Sequence, residues 1–209
     1  MDVRRTRRRG AMGRVVGALT GMGLLAACGG SPAPRWVVER DLGEWRFRRY
    51  QRVLDVEFPI EGNPAVGHTA AYVRRGPRGS TWATAFVVVY ERPAGLVAEV
   101  REALDSLSAY TVRVGRLEGE NVWLLEGDAE RWALWVSGRV LVKLGAPPGA
   151  PIPEEIAEAY TDRYPSDLDE QGRAREGAAS AGPSRREREE REQEQERELP
   201  SHLREGAPR

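Results

Sequence analysis

Reactive side chains are scarce in this chain of 209 residues. It contains one cysteine, Cys28, two histidines, His68 and His202, and one lysine, Lys143, whereas arginine is abundant. A single cysteine excludes an intramolecular disulfide, so the stability of the fold must come from burial of apolar side chains. With so few cysteines and histidines, a zinc site of the usual kind is not expected, and we predict no metal and no cofactor.

The motifs of several common enzyme classes are also absent. The sequence has no G-x-S-x-G, no P-loop and no G-x-G-x-x-G. Residues 35–169 carry 16 arginines and one lysine against 21 acidic residues, a net charge of −4. This region therefore lacks the basic surplus of a nucleic-acid-binding domain. We expect no nucleic-acid partner and no catalysis; an enzyme that uses carboxylates not marked by any motif is the alternative.

The first 27 residues predict an export signal. A cationic start with six arginines precedes an uncharged, largely apolar run at residues 15–25. Eleven residues of helix rise about 16 Å, well short of the roughly 30 Å hydrocarbon core of a bilayer. The order of a basic segment, a short apolar segment and small residues is typical of a secretory signal peptide.

The end of this leader resembles the lipobox of bacterial lipoproteins. Leu25, Ala26, Ala27 and Cys28 match that motif at all four positions, although the resemblance covers only the leader. It implies that the Cys28 thiol receives a diacylglyceryl group and that a signal peptidase cuts before Cys28. Two or three acyl chains give lasting attachment, because each buried methylene contributes about 0.8 kcal/mol. The resemblance implies an exported, lipid-anchored protein of the cell membrane or outer membrane, and Gly29 after the cysteine favours the outer membrane.

Composition divides the remaining chain into three parts. Residues 28–35 are a short linker that begins with the cysteine for which the resemblance implies lipidation, 36–169 are dense enough in apolar residues for one domain, and 170–209 are a charged tail. The tail has no aromatic residue and few large aliphatic ones, so we expect it to be disordered or partly helical. Helix formers with opposite charges four positions apart predict a solvated helix at residues 185–198.

Apolar periodicity predicts an α+β fold for the domain. The expected elements in chain order are strands 36–40 and 52–58, a hairpin of 68–75 and 80–92 around a turn at 76–79, a helix with an apolar stripe over 96–107, strands 110–117, 122–126, 131–136 and 139–144, and a helix from 153 to 165. The last two strands are expected to join through a Ser137-Gly138 turn. We predict an antiparallel sheet, a hairpin followed by a four-stranded meander, with two helices packed on one face.

Aromatic residues and arginines supply the candidate ligand contacts. Trp132 and Trp135 lie three apart in a predicted strand and so point to opposite faces. One should belong to the core, and the other could be exposed or covered by a helix. Arg46 and Arg48 lie in an arginine-rich run with aromatic residues, residues 46–52, that suits anionic headgroups or cell-wall polymer. A core role for the tryptophans, and a solvated edge strand for the arginines, are the alternatives.

These features favour a non-catalytic binding or assembly module in the bacterial envelope. Its expected partners are the membrane, through Cys28, and an unidentified envelope protein or polymer. A purely structural factor that uses the charged tail as a contact arm is a further alternative.

Overall fold

A computed structural model of the chain describes residues 35–77, 79–128, 130–146 and 149–198. The predictions on the leader, including Cys28 and the lipobox, lie outside the described residues, as does the tail from residue 199. The elements in chain order are β1 Arg46–Val53, β2 Ala65–Gly76, β3 Gly79–Tyr90, α1 Leu96–Asp105, β4 Thr111–Leu117, β5 Glu120–Glu126, β6 Arg131–Ser137, β7 Val140–Ala146, α2 Glu154–Arg163 and α3 Arg185–Glu198.

The seven strands form one sheet in the order β1-β2-β3-β7-β6-β5-β4. Every neighbouring pair is antiparallel. The predicted α+β class and antiparallel sheet are confirmed. Strands β2 and β3 and strands β4 to β7 pair with their neighbours in the chain through turns of a few residues, and residues 54–64 connect β1 to β2. The β3–β7 pair joins residues more than fifty positions apart and was not predicted.

The strands that the sequence predicted most accurately are those joined by short turns. Strands β2 and β3 meet at the predicted turn, with Gly76 paired with Gly79. Strands β6 and β7 also meet in a tight turn, but Ser137 pairs with Val140, so the turn residues are Gly138 and Arg139. Gly138 has a φ of 56°, a left-handed conformation that glycine adopts without steric cost, which shifts the predicted turn by one residue.

The two predicted strands nearest the start of the domain are wrong. Residues 36–40 are irregular. The Val38 N–H donates to Tyr160 Oη (3.1 Å) and the Val38 carbonyl accepts from Tyr72 Oη (2.5 Å), so its main-chain groups bond to side chains and not to a neighbouring strand. The strand expected at 52–58 lies earlier, as β1. Leu54 is 76% exposed, and the Phe58 carbonyl accepts a hydrogen bond from Tyr90 Oη (2.7 Å) instead of a strand partner.

The core covers both faces of the central strands. All residues from Val140 to Gly145 are buried, as are those from Ala133 to Val136. We call the two sides the Tyr72 face, which also carries Trp135, and the Trp132 face, which also carries Lys143; the register and the alternation of side chains define them. Burial on both sides explains why these strands read as continuous apolar runs.

Helix α2 packs against the Tyr72 face. Its Tyr160 hydroxyl lies 3.0 Å from the Tyr72 hydroxyl, and Trp135 Nε1 donates to the carbonyl of Tyr164, the residue that ends the helix (2.7 Å). Burial raises the pKa of Tyr160 to about 12 and also raises the pKa of Tyr72. Both hydroxyls therefore stay protonated and serve as hydrogen-bonding groups of the core.

The segment after α2 follows the surface of the domain, which its composition did not predict. The Ser180 hydroxyl donates to Asp167 Oδ2 (2.5 Å), and the carbonyl of Ala181 accepts from the N–H of Gly95 at the start of α1 (3.2 Å). Gly172 lies against Trp123 so closely that a Cβ there would be 2.7 Å from the indole nitrogen. Backbone hydrogen bonds and small residues hold this segment, so large apolar side chains are not needed. Helix α3 coincides with the predicted helix 185–198.

No helix in the described part of the chain is both long enough and apolar enough to span a membrane.

Candidate functional site

The arginine-rich run forms the edge strand β1. Arg46 and Arg48 are both exposed and line an open groove with Arg74 and Arg75. Arg46 is already paired with Asp41, whose Oδ2 lies 2.7 Å from the guanidinium. This ion pair is the main cause that lowers the pKa of Asp41. Arg48 forms no salt bridge within the described ranges, so it is the more available of the two for an anionic ligand.

The two tryptophans lie on opposite faces, as predicted, but neither is freely exposed. Trp135 is fully buried and its indole nitrogen is bonded to the Tyr164 carbonyl, which corrects its assignment as a ligand contact. Trp132 is half-buried beneath Lys143, whose ammonium lies 4.0 Å from the ring centroid. Its indole nitrogen is buried without a hydrogen bond of normal geometry.

The tryptophan that does face solvent is Trp82, which the sequence analysis did not select. It is 52% exposed and pairs across the sheet with Val73, which in turn pairs with Arg46. Arg46, Val73 and Trp82 therefore form a row across strands β1, β2 and β3, with the guanidinium and the exposed indole on either side of the valine. The place of Trp82 only three residues after the hairpin turn is the signal that could have indicated exposure.

Lys143 is the centre of a second cluster, on the Trp132 face. Its ammonium donates to both carboxylate oxygens of Glu57, at 2.8 and 2.6 Å. It lies 4.0 Å from the ring centroid of Trp132 and 6.0 Å from that of Phe86, two rings that contact each other edge to face. The lysine side chain is 9% exposed and the glutamate side chain is 49% exposed. A buried ammonium is stabilised by a paired carboxylate and by the negative faces of aromatic rings, and this site supplies both.

A small cavity of about 110 Å³ adjoins this cluster. Its lining includes Val56, Phe58, Val88 and Leu141, with Lys143 at one side. A largely apolar space of this size is large enough for a few non-hydrogen atoms and smaller than typical ligand pockets of about 300–1,000 Å³. We therefore interpret the Lys143 cluster as structural: it packs residues 54–60 against the Trp132 face of the sheet.

Glu130 also lies near Trp132. The Tyr110 hydroxyl donates to its carboxylate, and this hydrogen bond, together with the nearby indole N–H and the Lys143 charge, lowers the pKa of Glu130. A carboxyl with a lowered pKa is ionised at neutral pH, which suits a hydrogen-bond acceptor and not a general acid. The sequence signal that could have marked this region is Lys143 itself, the only lysine in an arginine-rich chain.

His68 is buried on the Tyr72 face. Its Nδ1 lies 2.8 Å from the Tyr50 hydroxyl, and burial, followed by the charge of Arg52, lowers the pKa of the imidazole. Within the described ranges, no three side chains of histidine, cysteine, aspartate or glutamate converge as metal ligands would.

Comparison with known proteins adds no further residue to these sites. No protein family model, no curated protein and no solved structure matches the chain.

Proposed function

We propose that this protein is an exported bacterial lipoprotein, anchored through Cys28, whose domain binds another component of the cell envelope. The observation that carries the anchor is the sequence Leu25-Ala26-Ala27-Cys28 after a basic and apolar leader. The compact unit begins at Arg35, so only six residues separate it from the cysteine. An arrangement of leader, lipidated cysteine, short linker and folded domain supports a function beside the membrane.

The binding role is supported by the surface around Trp82. A half-exposed indole lies across the sheet from Arg46, and the groove beside Arg46 contains the exposed Arg48 and Arg75. Indole and guanidinium groups together contact peptides and polymers through large rigid rings and multiple N–H donors. An anionic or glycan-containing envelope component, protein or polymer, is the partner that fits this chemistry.

The alternative is an envelope enzyme with a carboxylate-based site, and one observation favours it. Glu57 is paired with Lys143, which lies over the Trp132 ring, and Glu130 lies near the indole N–H of Trp132. Their partners hold both as hydrogen-bond acceptors, so we place this alternative second.

We also infer how the layers of the domain are arranged. Helix α1 covers the Trp132 face and α2 the Tyr72 face, in place of the single helical face that the sequence predicted. Burial of β6 and β7 on both sides supports this arrangement. So does the contact of residues 172–181 with both Trp123, on the Trp132 face, and the start of α1. The sheet then divides into a β1–β3 block and a β4–β7 meander.

Cys28→Ser tests the anchor. We expect the wild-type protein to fractionate with membranes and to show an intact mass that corresponds to cleavage before Cys28 plus a diacylglyceryl group and its acyl chains. The variant has no thiol to form the thioether, so it should keep its leader and gain no lipid mass. Alanine in place of Ser31 is the control and should leave both mass gain and fractionation unchanged. A soluble wild-type protein with an unmodified Cys28 would contradict the proposal.

A photoreactive amino acid at position 82 tests the binding surface. In intact cells we expect a discrete crosslinked adduct from position 82 and none from position 118, an exposed turn residue at the other end of the sheet order. The adduct should weaken strongly when Arg48 and Arg75 are both replaced by glutamine. The same adducts from both positions, or an adduct insensitive to the arginines, would show that Trp82 is not part of a specific surface.

A further inference from the structure

Four exposed arginines surround the point at which the described chain begins. The residues that make up this surface, which we call the anchor-side patch, are Arg35, Trp36, Tyr50, Arg52, Arg139 and Arg163.

Contacts of α2 place the first of these residues together. Arg163 Nη2 donates to the carbonyl of Arg35, and Arg163 Nη1 donates to the carbonyl of Val37 (3.4 Å). The hydroxyl of Tyr164 donates to the carbonyl of Trp36 (2.6 Å). The end of α2 thus fixes the main chain where it enters the domain, with two arginine side chains beside it.

Contacts of Trp36 bring in the remaining residues. The Arg139 guanidinium lies over the Trp36 ring, 5.6 Å from its centroid. The ring centroids of Trp36 and His68 are 6.1 Å apart. His68 is bonded to the Tyr50 hydroxyl and pairs across the sheet with Arg52. Guanidinium groups and aromatic rings are therefore interleaved around one entry point.

The arginines of this patch are electrically unpaired. Within the part of the chain that the structure describes, none of Arg35, Arg52 and Arg139 forms a salt bridge, and Arg163 bonds only to main-chain carbonyls and lies beside the Tyr164 ring. Some arginines elsewhere on the domain, such as Arg46, Arg113 and Arg116, pair with carboxylates, whereas others, such as Arg48, do not. The patch thus keeps its positive charge for an external partner.

We propose that the anchor-side patch contacts the anionic headgroups of the bilayer in which the protein is anchored. The inference rests on the proposed anchor at Cys28. Six residues lie between Cys28 and Arg35, and a chain of that length spans at most about 25 Å. Arginines attract anionic headgroups, and tryptophan and tyrosine prefer the membrane–water interface. The patch orients the domain with the Trp82 surface, at the other end of β2 and β3, directed away from the membrane.

Vesicle binding by a chain without lipid tests the patch apart from the anchor. The mature chain from position 28, with Cys28→Ser, is mixed with vesicles of phosphatidylcholine alone or of phosphatidylcholine with phosphatidylglycerol. We expect sedimentation with the anionic vesicles only. Binding should be lost at high salt, because the Debye length falls from about 10 Å at 0.1 M to about 3 Å at 1 M.

The triple variant R35Q/R52Q/R139Q keeps the Arg163 hydrogen bonds and removes three of the four charges. We expect its partition onto anionic vesicles to fall about 100-fold, from about 5-fold for each arginine near the surface. The control R113Q/R116Q/R131Q removes the same charge from exposed positions on β4 and β6, away from both the patch and the Trp82 surface, and should bind nearly as the parent does. Unchanged circular dichroism would show that both variants are folded.

Two results would overturn the proposal: no binding of the parent to anionic vesicles, or equal losses in the two triple variants. Failure of the anchor is distinguished separately, by the mass and fractionation of the wild-type protein. The vesicle assay uses a protein without a lipid anchor, so its outcome does not depend on the result of those measurements.

Discussion

Trp135→Ala is expected to lower the free energy of unfolding by about 3–5 kcal/mol, the usual cost of removing a buried large aromatic side chain. The Trp135 side chain is fully buried on the Tyr72 face. Its loss leaves a cavity between the sheet and the end of α2. It also leaves the Tyr164 carbonyl without the indole N–H that bonds to it at 2.7 Å. Since domains are stable by about 5–15 kcal/mol, this single change should remove a large part of the total.

Urea denaturation followed by far-ultraviolet circular dichroism measures this effect. Trp82→Ala is the matched control, because it removes the same side chain from a position that is 52% exposed. We expect the control to cost about 1 kcal/mol or less. Trp135→Phe should fall between the two, since it keeps a ring in the cavity but loses the hydrogen bond. If Trp82→Ala proved as destabilising as Trp135→Ala, the assignment of Trp135 to the core would be wrong.

Gly145→Ala is expected to lower the free energy of unfolding by about 3 kcal/mol, the upper end of the usual cost of overpacking a core, although it adds only one methyl group. A Cβ at this position would lie 2.1 Å from Cζ3 and 2.5 Å from Cε3 of Trp132, whereas carbon atoms in contact are about 3.5–4.0 Å apart. Gly145 is buried in the central strand β7, so its backbone cannot move aside without breaking the sheet. The indole must move instead, and Phe86 and Lys143 pack against it.

The expected signature is a lower denaturation midpoint together with a changed near-ultraviolet spectrum from a displaced Trp132. Gly76→Ala is the control: its nearest atom, the Gly79 carbonyl oxygen, would lie at 3.7 Å, so the change in stability should stay within about 0.5 kcal/mol. Equal midpoints for Gly145→Ala and the wild-type protein would contradict the close packing of Trp132 on Gly145.

The two predictions concern opposite faces of the sheet, and so they report on different layers. Loss of Trp135 weakens the contact with α2, which holds the chain entry and, through Arg163, one side of the anchor-side patch. Displacement of Trp132 disturbs Lys143 and, through Glu57, the irregular segment after β1.

Much of the fold was predictable because it is local. Strands β4 to β7 are short, and each joins the next through a turn of few residues, so alternation and turn chemistry located them to within a few positions. Helix α1 was located because Leu96, Val97, Val100 and Leu104 recur at helical spacing, and all four are buried. Pro153 and Pro165 bracket α2 for the same reason, since proline fits before a helix and ends it.

The two strands that the sequence predicted wrongly lie where contacts between residues far apart in the chain determine the structure. The Phe58 carbonyl accepts a hydrogen bond from Tyr90, and Glu57 is paired with Lys143, 86 positions away. Residues 54–58 are therefore not part of a strand, although the sequence predicted a strand over 52–58. Val38 likewise gives its N–H and carbonyl to two tyrosines from β2 and α2. No local pattern carries information about these partners.

The sequence by itself determined the features that depend on chain order and on residue type: the strands joined by short turns, the two helices of the domain, and the absence of an intramolecular disulfide. The leader and its cysteine stay a prediction from the sequence alone. Only the tertiary structure decided which tryptophan faces solvent, that the sole lysine is buried between rings and a carboxylate, and that four arginines surround the start of the domain. The physical reason is that burial and charge pairing depend on which surfaces meet, and the β3–β7 pairing and the docking of α2 bring together residues that lie far apart in the chain.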